Sequence, residues 1–201
     1  MRVAFFDFDG TLTRRDSLMP FLSYVVGKKR FILGMVRLSP TLLRDVSRFA
    51  CNDRAKEKLV RYFLAGFPLE QLRALGEAFA SDHLPKLLRA AMMERLQWHQ
   101  NQEHACVLVS ASLDIYLRPW AEQARFSDVL CSRLRVDPGG VVDGTLDGAN
   151  CFGAEKACRI REWMAGQQLD YVYAYGDSCG DREMLALANE GYLIRDYLNL
   201  A

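Results

Sequence analysis

Apolar and polar positions along the chain follow two rhythms. Residues 3–8, 105–110 and 170–177 are short runs of β-branched, aromatic and small apolar residues, and each reads as a buried strand. A last short strand is expected at 191–194. From residue 18 to about residue 97 the rhythm is helical, with breakers at Gly27, Pro40, Gly66-Phe67-Pro68 and Pro85. Ser39-Pro40 marks a helix start or break, Asn52-Asp53 offers caps before a helix over 54–64, and Pro68-Leu69-Glu70 opens another over 69–79. Residues 113–124, 155–165 and about 181–188 also read as helices. Between them, residues 128–146 read as a strand followed by a hairpin that turns at Asp137-Pro138-Gly139-Gly140. Strands apolar on both faces and separated by helices imply a parallel sheet covered on both sides. The long helical stretch leaves after the first strand. It is expected to sit over the strands' C-terminal ends, where such sheets bind ligands.

Composition narrows the picture. The chain has 201 residues, half of them hydrophobic, enough for one substantial core or a core with a small appended unit. Lys and Arg number 26 against 25 Asp and Glu, and no basic stripe appears, so nucleic acid is not an expected partner. The six cysteines form no C-x-x-C pair and are read as reduced and structural. The start of the chain has no signal-peptide pattern, and no apolar run reaches the roughly 20 residues of a membrane span. A cytoplasmic location is the expectation. Gly27-Lys28-Lys29-Arg30 reads as a solvated loop; anchoring on anionic lipid is the sharper alternative. The three tryptophans read as packing residues, and the three histidines receive no chemistry.

Two acidic pairs change the question from fold to chemistry. Asp7 and Asp9 lie two apart at the end of the first strand, so in extended backbone they point the same way. Asp9-Gly10 alone is an ordinary turn, but Asp7 sits between Phe6 and Phe8, and a lone carboxylate is costly to bury. Such a pair needs a cation or a shared proton. Asp177 follows another buried strand, with Asp181 four residues on. Acid pairs at the ends of two parallel strands can converge, and hard carboxylate oxygens without nearby His or Cys suit Mg²⁺ rather than zinc. Ser110, ending a strand before a helix, and Lys156, opening one, are candidates for holding phosphate.

In this order the motifs DFDGTLT (7–13), VLVSAS (107–112), GAEK (153–156) and GDSCGD (176–181) resemble those of the haloacid dehalogenase superfamily. The helical insert between the first two resembles its phosphoserine-phosphatase-like branch. The resemblance implies an α/β fold: a Rossmann-like parallel sheet with helices on both faces (residues 1–15 and 98–201) and an inserted α-helical cap domain (16–97). It implies Asp7 as nucleophile, forming an aspartyl-phosphate, and Asp9 as general acid, then general base. Mg²⁺ would be held by Asp7, the Asp9 carbonyl and Asp177, with Asp181 outside the ligand set. Ser110, Ala111, Lys156 and the amides around Gly10 and Thr11 would hold the phosphoryl group. Dehalogenases of the superfamily lack the second acid, so Asp9 points to phosphate esters. Three departures weaken phosphoserine as substrate: Asp16 replaces a glutamate, Ser110-Ala111-Ser112 replaces Ser-Gly-Gly, and residues 18–43 are unusually apolar. They look more like the histidinol-phosphate and phosphatidylglycerophosphate phosphatases of the branch. Asp16 and Arg54 are candidate substrate contacts. The expected function is a Mg²⁺-dependent phosphatase of a small phosphomonoester. A peripheral lipid-phosphate phosphatase, a phosphotransferase and a non-catalytic phosphometabolite-binding protein stay open, as does the oligomeric state.

Overall fold

The structure is a computed structural model that describes residues 1–45 and 53–194, without the side chains of 41–45 and 53–54. β1 (Arg2–Phe6) lies at the centre of a five-stranded parallel sheet. β2 (Ala105–Leu113) and β3 (Asp128–Ser132) extend it on one side, β6 (Tyr171–Gly176) and β7 (Glu190–Leu193) on the other. Phe6 is in register with Leu108 and with Tyr175, so the loops after β1, β2 and β6 emerge together.

Side-chain alternation divides these strands between two cores. Val3, Phe5, Val107, Val109, Val172 and Ala174 face α7 (Ala154–Met164) and α8 (Arg182–Ala186), against Ile160 and Met184. Ala4, Phe6, Cys106, Leu108 and Tyr175 face the other way, toward α5 (Ala90–Asn101) and α6 (Asp114–Gln123). Phe6 stacks on Tyr175 at 4.7 Å between ring centroids. Each fully buried side chain of this size contributes about 1.5–3 kcal/mol.

The helical insert comprises α1 (Leu18–Val26), α2 (Lys28–Asp45), α3 (Asp53–Leu64) and α4 (Leu69–Asp82). The chain leaves the sheet at Thr13 and returns at Leu88, which form an isolated antiparallel bridge flanked by Arg14 N to Leu87 O and Arg89 N to Leu12 O, both 2.8 Å. The expected boundary at residue 97 therefore falls inside α5, whose Met92, Leu96 and His99 are buried.

Two contacts hold the insert down. Gly76 of α4 lies so close to α6 that a Cβ would stand 2.1 Å from the Ile115 carbonyl. The hairpin of β4 (Leu134–Val136) and β5 (Val142–Leu146) turns at the expected Asp137, whose carboxylate accepts from Gly139 N and Val141 N. It then bonds the α3–α4 connection through Gly66 N to Val142 O, Val142 N to Phe67 O and Leu69 N to Gly140 O, each 2.9 Å.

Several local expectations shift. β1 ends at Phe6 rather than residue 8. Pro40 lies inside α2 without breaking it. Proline leaves the carbonyl four residues earlier without its usual donor, and the Ser39 hydroxyl supplies one to Val36 O at 2.7 Å. Trp120 and Trp163 are packed, but Trp98 is exposed under the Arg95 guanidinium at 4.1 Å. Cys106, Cys131 and Cys151 are buried and free, whereas Cys158 and Cys179 are exposed; Cys51 and Asn52 lie outside the described residues. Among the described residues no helix is long and apolar enough to cross a membrane.

Candidate active site

The site forms where β1, β2 and β6 end and α7 begins. Asp7 extends the sheet by one bond, its N–H donating to Tyr175 O at 2.9 Å. The chain then coils tightly over Phe8–Leu12, and Gly10 takes φ +82°. Glycine is required there: besides the left-handed backbone, a Cβ would stand 2.1 Å from an Asp177 carboxylate oxygen. This coil changes the expected alignment of Asp7 and Asp9, because extended geometry ends between them. Their carboxylates meet different partners.

Asp7 is buried and accepts from Lys156 Nζ at 2.5 Å and from the Thr11 hydroxyl at 3.0 Å. Lys156, 3% exposed on the first turn of α7, also bonds Asp181 at 2.6 Å. Burial opposes the lysine's charge, but Asp7 and Asp181 hold it above the ordinary lysine range. The other Asp181 oxygen accepts from Asp177 N, Ser178 N and the Ser178 hydroxyl at 3.0–3.1 Å. Asp181 thus ties the loop after β6 to Lys156. Asp177 stands at the open side of the cluster.

Oxygen atoms of Asp7, Asp177 and Asp181 lie within 4.8 Å of one another. When all three are ionised, Lys156 neutralises one negative charge and two are left uncompensated. Burial pushes the Asp7 carboxyl up to about 8 despite the pull of Lys156, and partial enclosure with the Asp181 charge also raises Asp177. The cradle is net negative even with Lys156 bonded to it, and its donors are hard oxygens. It therefore fits a divalent ion such as Mg²⁺.

Asp9 sits in a separate pocket. One oxygen accepts from Ser17 N at 2.8 Å and the other from the Ser112 hydroxyl. Ser17 Oγ, Ser112 Oγ and Tyr116 Oη form a buried hydroxyl cluster behind it. Burial, reinforced by the charge of Asp16, pushes the Asp9 carboxyl up to about 7. Both of its oxygens are thus aimed by fixed donors, Ser17 N and the Ser112 hydroxyl.

The remaining expected residues have more particular places. Ser110 is buried within β2, which runs three residues beyond the expected strand end to Leu113, and its hydroxyl accepts from Ser112 N at 3.0 Å. Gly10 N donates to Thr13 Oγ1 at 3.2 Å, and the Thr11 hydroxyl is engaged by Asp7. Asp16 is exposed and caps α1 by accepting from Leu18 N and Met19 N. The Arg54 side chain lies outside the described residues. Instead, Lys56 of α3 reaches the Ala111 carbonyl and Asn150 Oδ1. Arg89 donates to Gly10 O and Thr13 O, holding the coil after Asp7. Of the residues that sequence reasoning missed, Ser112 carried a signal, since it lies two positions past Ser110. Ser17, Lys56 and Arg89 carried none, because such residues at a helix end or on a helix face are ordinarily solvated.

The parallel sheet thus carries paired acids beyond its central strand, a second acidic loop beyond β6 and a buried lysine bonded to both. The haloacid dehalogenase-like hydrolase family model matches residues 4–186, and the chain belongs to that family. It is 39% identical over 194 residues to Protein CicA of Caulobacter vibrioides, a match covering 94% of this chain and 84% of that protein. A Bordetella pertussis protein of unknown function is similar in structure, with TM-score 0.81 and 22% identity over 99% of this chain and 95% of that one. The phospho-aspartyl intermediate analogue of a phosphoserine phosphatase shares the fold at TM-score 0.67 and 16% identity, covering 95% and 85% of the two chains.

Proposed function

We propose that this hydrolase is a Mg²⁺-dependent phosphatase that cleaves a small phosphomonoester through an aspartyl-phosphate on Asp7. The observation that carries this reading is the placement of Asp9: a half-buried carboxyl aimed by Ser17 N and the Ser112 hydroxyl, two residues from the Asp7 carboxyl that Lys156 holds. Ester cleavage needs a proton for the departing alkoxide, and a halide does not. The Asp7 carboxylate attacks phosphorus, the ester P–O bond breaks, and Asp9 gives its proton to the leaving oxygen. Asp9 then accepts a proton from the water that attacks the phosphorus of the aspartyl-phosphate, freeing Asp7 and phosphate. Ser17 N–H and the Ser112 hydroxyl keep Asp9 aimed during both transfers. Lys156 holds Asp7 in place and supplies positive charge beside the phosphoryl oxygens, with Ser110 and the backbone near Gly10, Thr11 and Ala111 completing the phosphate site. Asp7, the Asp9 carbonyl and Asp177 would hold Mg²⁺, oriented by Asp181; the ion supplies charge neutralisation that lets phosphate approach a carboxylate. The helical insert acts as the cap that selects the alcohol part of the substrate, and Lys56 gives that side a cation.

A panel of soluble phosphate esters tests this. Phosphate release is expected with Mg²⁺ and not with EDTA. Metal-independent release, or none from any ester, would overturn the reading. Gly10→Ala is expected to cost about a hundredfold in kcat by displacing Asp177; an unchanged kcat would remove Asp177 from the mechanism.

A further inference from the structure

The outward face of α2 has no role in the site described above, and its composition is unusual. Among the described residues the three most exposed large hydrophobic side chains are Leu33 at 69%, Val36 at 64% and Ile32 at 62%. They lie at i, i+1 and i+4, which places them on one helical face. Phe31, Met35 and Leu38 line the opposite face and pack against the core, and Gly34 sits against Phe63 and Tyr62. Tyr62, 45% exposed, borders the same surface. The helix is therefore apolar on two sides, and only the inner side is covered by the described residues.

Charge says what covers the outer one. Between Asp16 and Asp45 the chain has no acidic residue, whereas Lys28, Lys29, Arg30, Arg37 and Arg44 all fall there. The whole chain is nearly neutral at +1, so this is local segregation. Lys28, Lys29, Arg30 and Arg37 are exposed around the apolar residues. Face-to-face contact with a second copy would oppose like charges. A surface that is anionic at its boundary and apolar just beneath matches both features, and that is a lipid bilayer carrying anionic headgroups.

We propose that α2 docks this protein on an anionic membrane surface, with Ile32, Leu33 and Val36 inserted at the headgroup–acyl boundary and the lysines and arginines on the headgroups. The helix lies in the interface and does not span the bilayer. The proposal is independent of the reaction and its metal, since it is read from binding alone.

Co-sedimentation of the full chain with vesicles tests it. Binding is expected to phosphatidylcholine vesicles containing about one-third phosphatidylserine and to be at least tenfold weaker to phosphatidylcholine alone, since each cation near the surface contributes about fivefold. Raising salt from about 0.05 M to about 0.5 M is expected to weaken binding by a similar factor. The triple variants Ile32→Ser/Leu33→Ser/Val36→Ser and Lys28→Glu/Lys29→Glu/Arg30→Glu are each expected to lose at least tenfold in partitioning while keeping wild-type Tm. Absence of vesicle binding, or binding unaffected by either variant, overturns the proposal. So does a fall of several degrees in the serine variant's Tm, which would mean that the face is packed within the folded chain. Self-association dispersed by the same variant, without vesicle binding, would assign the face to a dimer instead.

Discussion

Asp7→Asn is expected to lower phosphate release by about four orders of magnitude or more, without loss of folded protein. The amide keeps the shape of the side chain but cannot form the aspartyl-phosphate. Its effect on stability is expected to be neutral or favourable in the absence of divalent ions. Asp7, Asp177 and Asp181 crowd their oxygens within 4.8 Å, and Lys156 offsets only one of the three charges, so removing one charge relieves repulsion. The Tm gain produced by Mg²⁺ in the wild type should shrink in this variant. Asp9→Asn gives the contrast. Its loss, about a hundredfold or more for alkyl phosphates, should largely vanish for p-nitrophenyl phosphate, whose leaving group needs no proton. Steady-state assays on both esters with both variants decide the matter. Residual turnover of Asp7→Asn near the wild-type rate would remove the nucleophile from the mechanism. Equal losses of Asp9→Asn on both esters would remove the general acid.

Lys156→Met is expected to be the most destabilising single change at the site, by about 3–5 kcal/mol at neutral pH, which for a chain of this size is roughly 10 °C in Tm. Methionine fills much the same volume but leaves Asp7 and Asp181 buried without their shared cation. The sign of the pH dependence follows. In the variant Asp7, whose carboxyl burial raises even with the lysine present, titrates well above its unfolded value, so the folded state binds protons more tightly than the unfolded one. Its stability is then greatest at low pH and falls as pH rises through the folded pKa of Asp7. Since burial already raises Asp7 to about 8 with the lysine present, the Tm deficit should be small near pH 5 and largest above about pH 8. Thermal unfolding of both proteins at pH 5, 7 and 9 measures it. An equal Tm at pH 9 would mean that the lysine is not the counter-charge that lets these acids be buried.

Much of this was legible along the chain. The strand runs, the hairpin turn at Asp137 and the helix of Lys156 are local signals: apolar periodicity and turn chemistry act over a few residues, and tertiary contacts here agreed with them. Asp7 could be singled out because a carboxylate inside a buried strand is costly unless something compensates it, Asp177 because it follows another buried strand, and Lys156 through its place among the four ordered motifs.

What tertiary structure alone decided is the pairing of groups far apart in sequence. Asp9 owes its environment to Ser17 and Ser112, 8 and 103 residues away, and to the Tyr116 hydroxyl behind them. Extended backbone would have aligned its carboxylate with that of Asp7; the positive φ of Gly10 belongs to a coil that separates them. Lys56 meets Ala111 across 55 positions, and Asp181 joins Lys156 across 25. The chain by itself set which residues needed a partner, because burial cost is a property of residue type and local pattern. Which partner each one found was set by sheet register and by the packing of the insert, which place distant loops at one edge of the sheet.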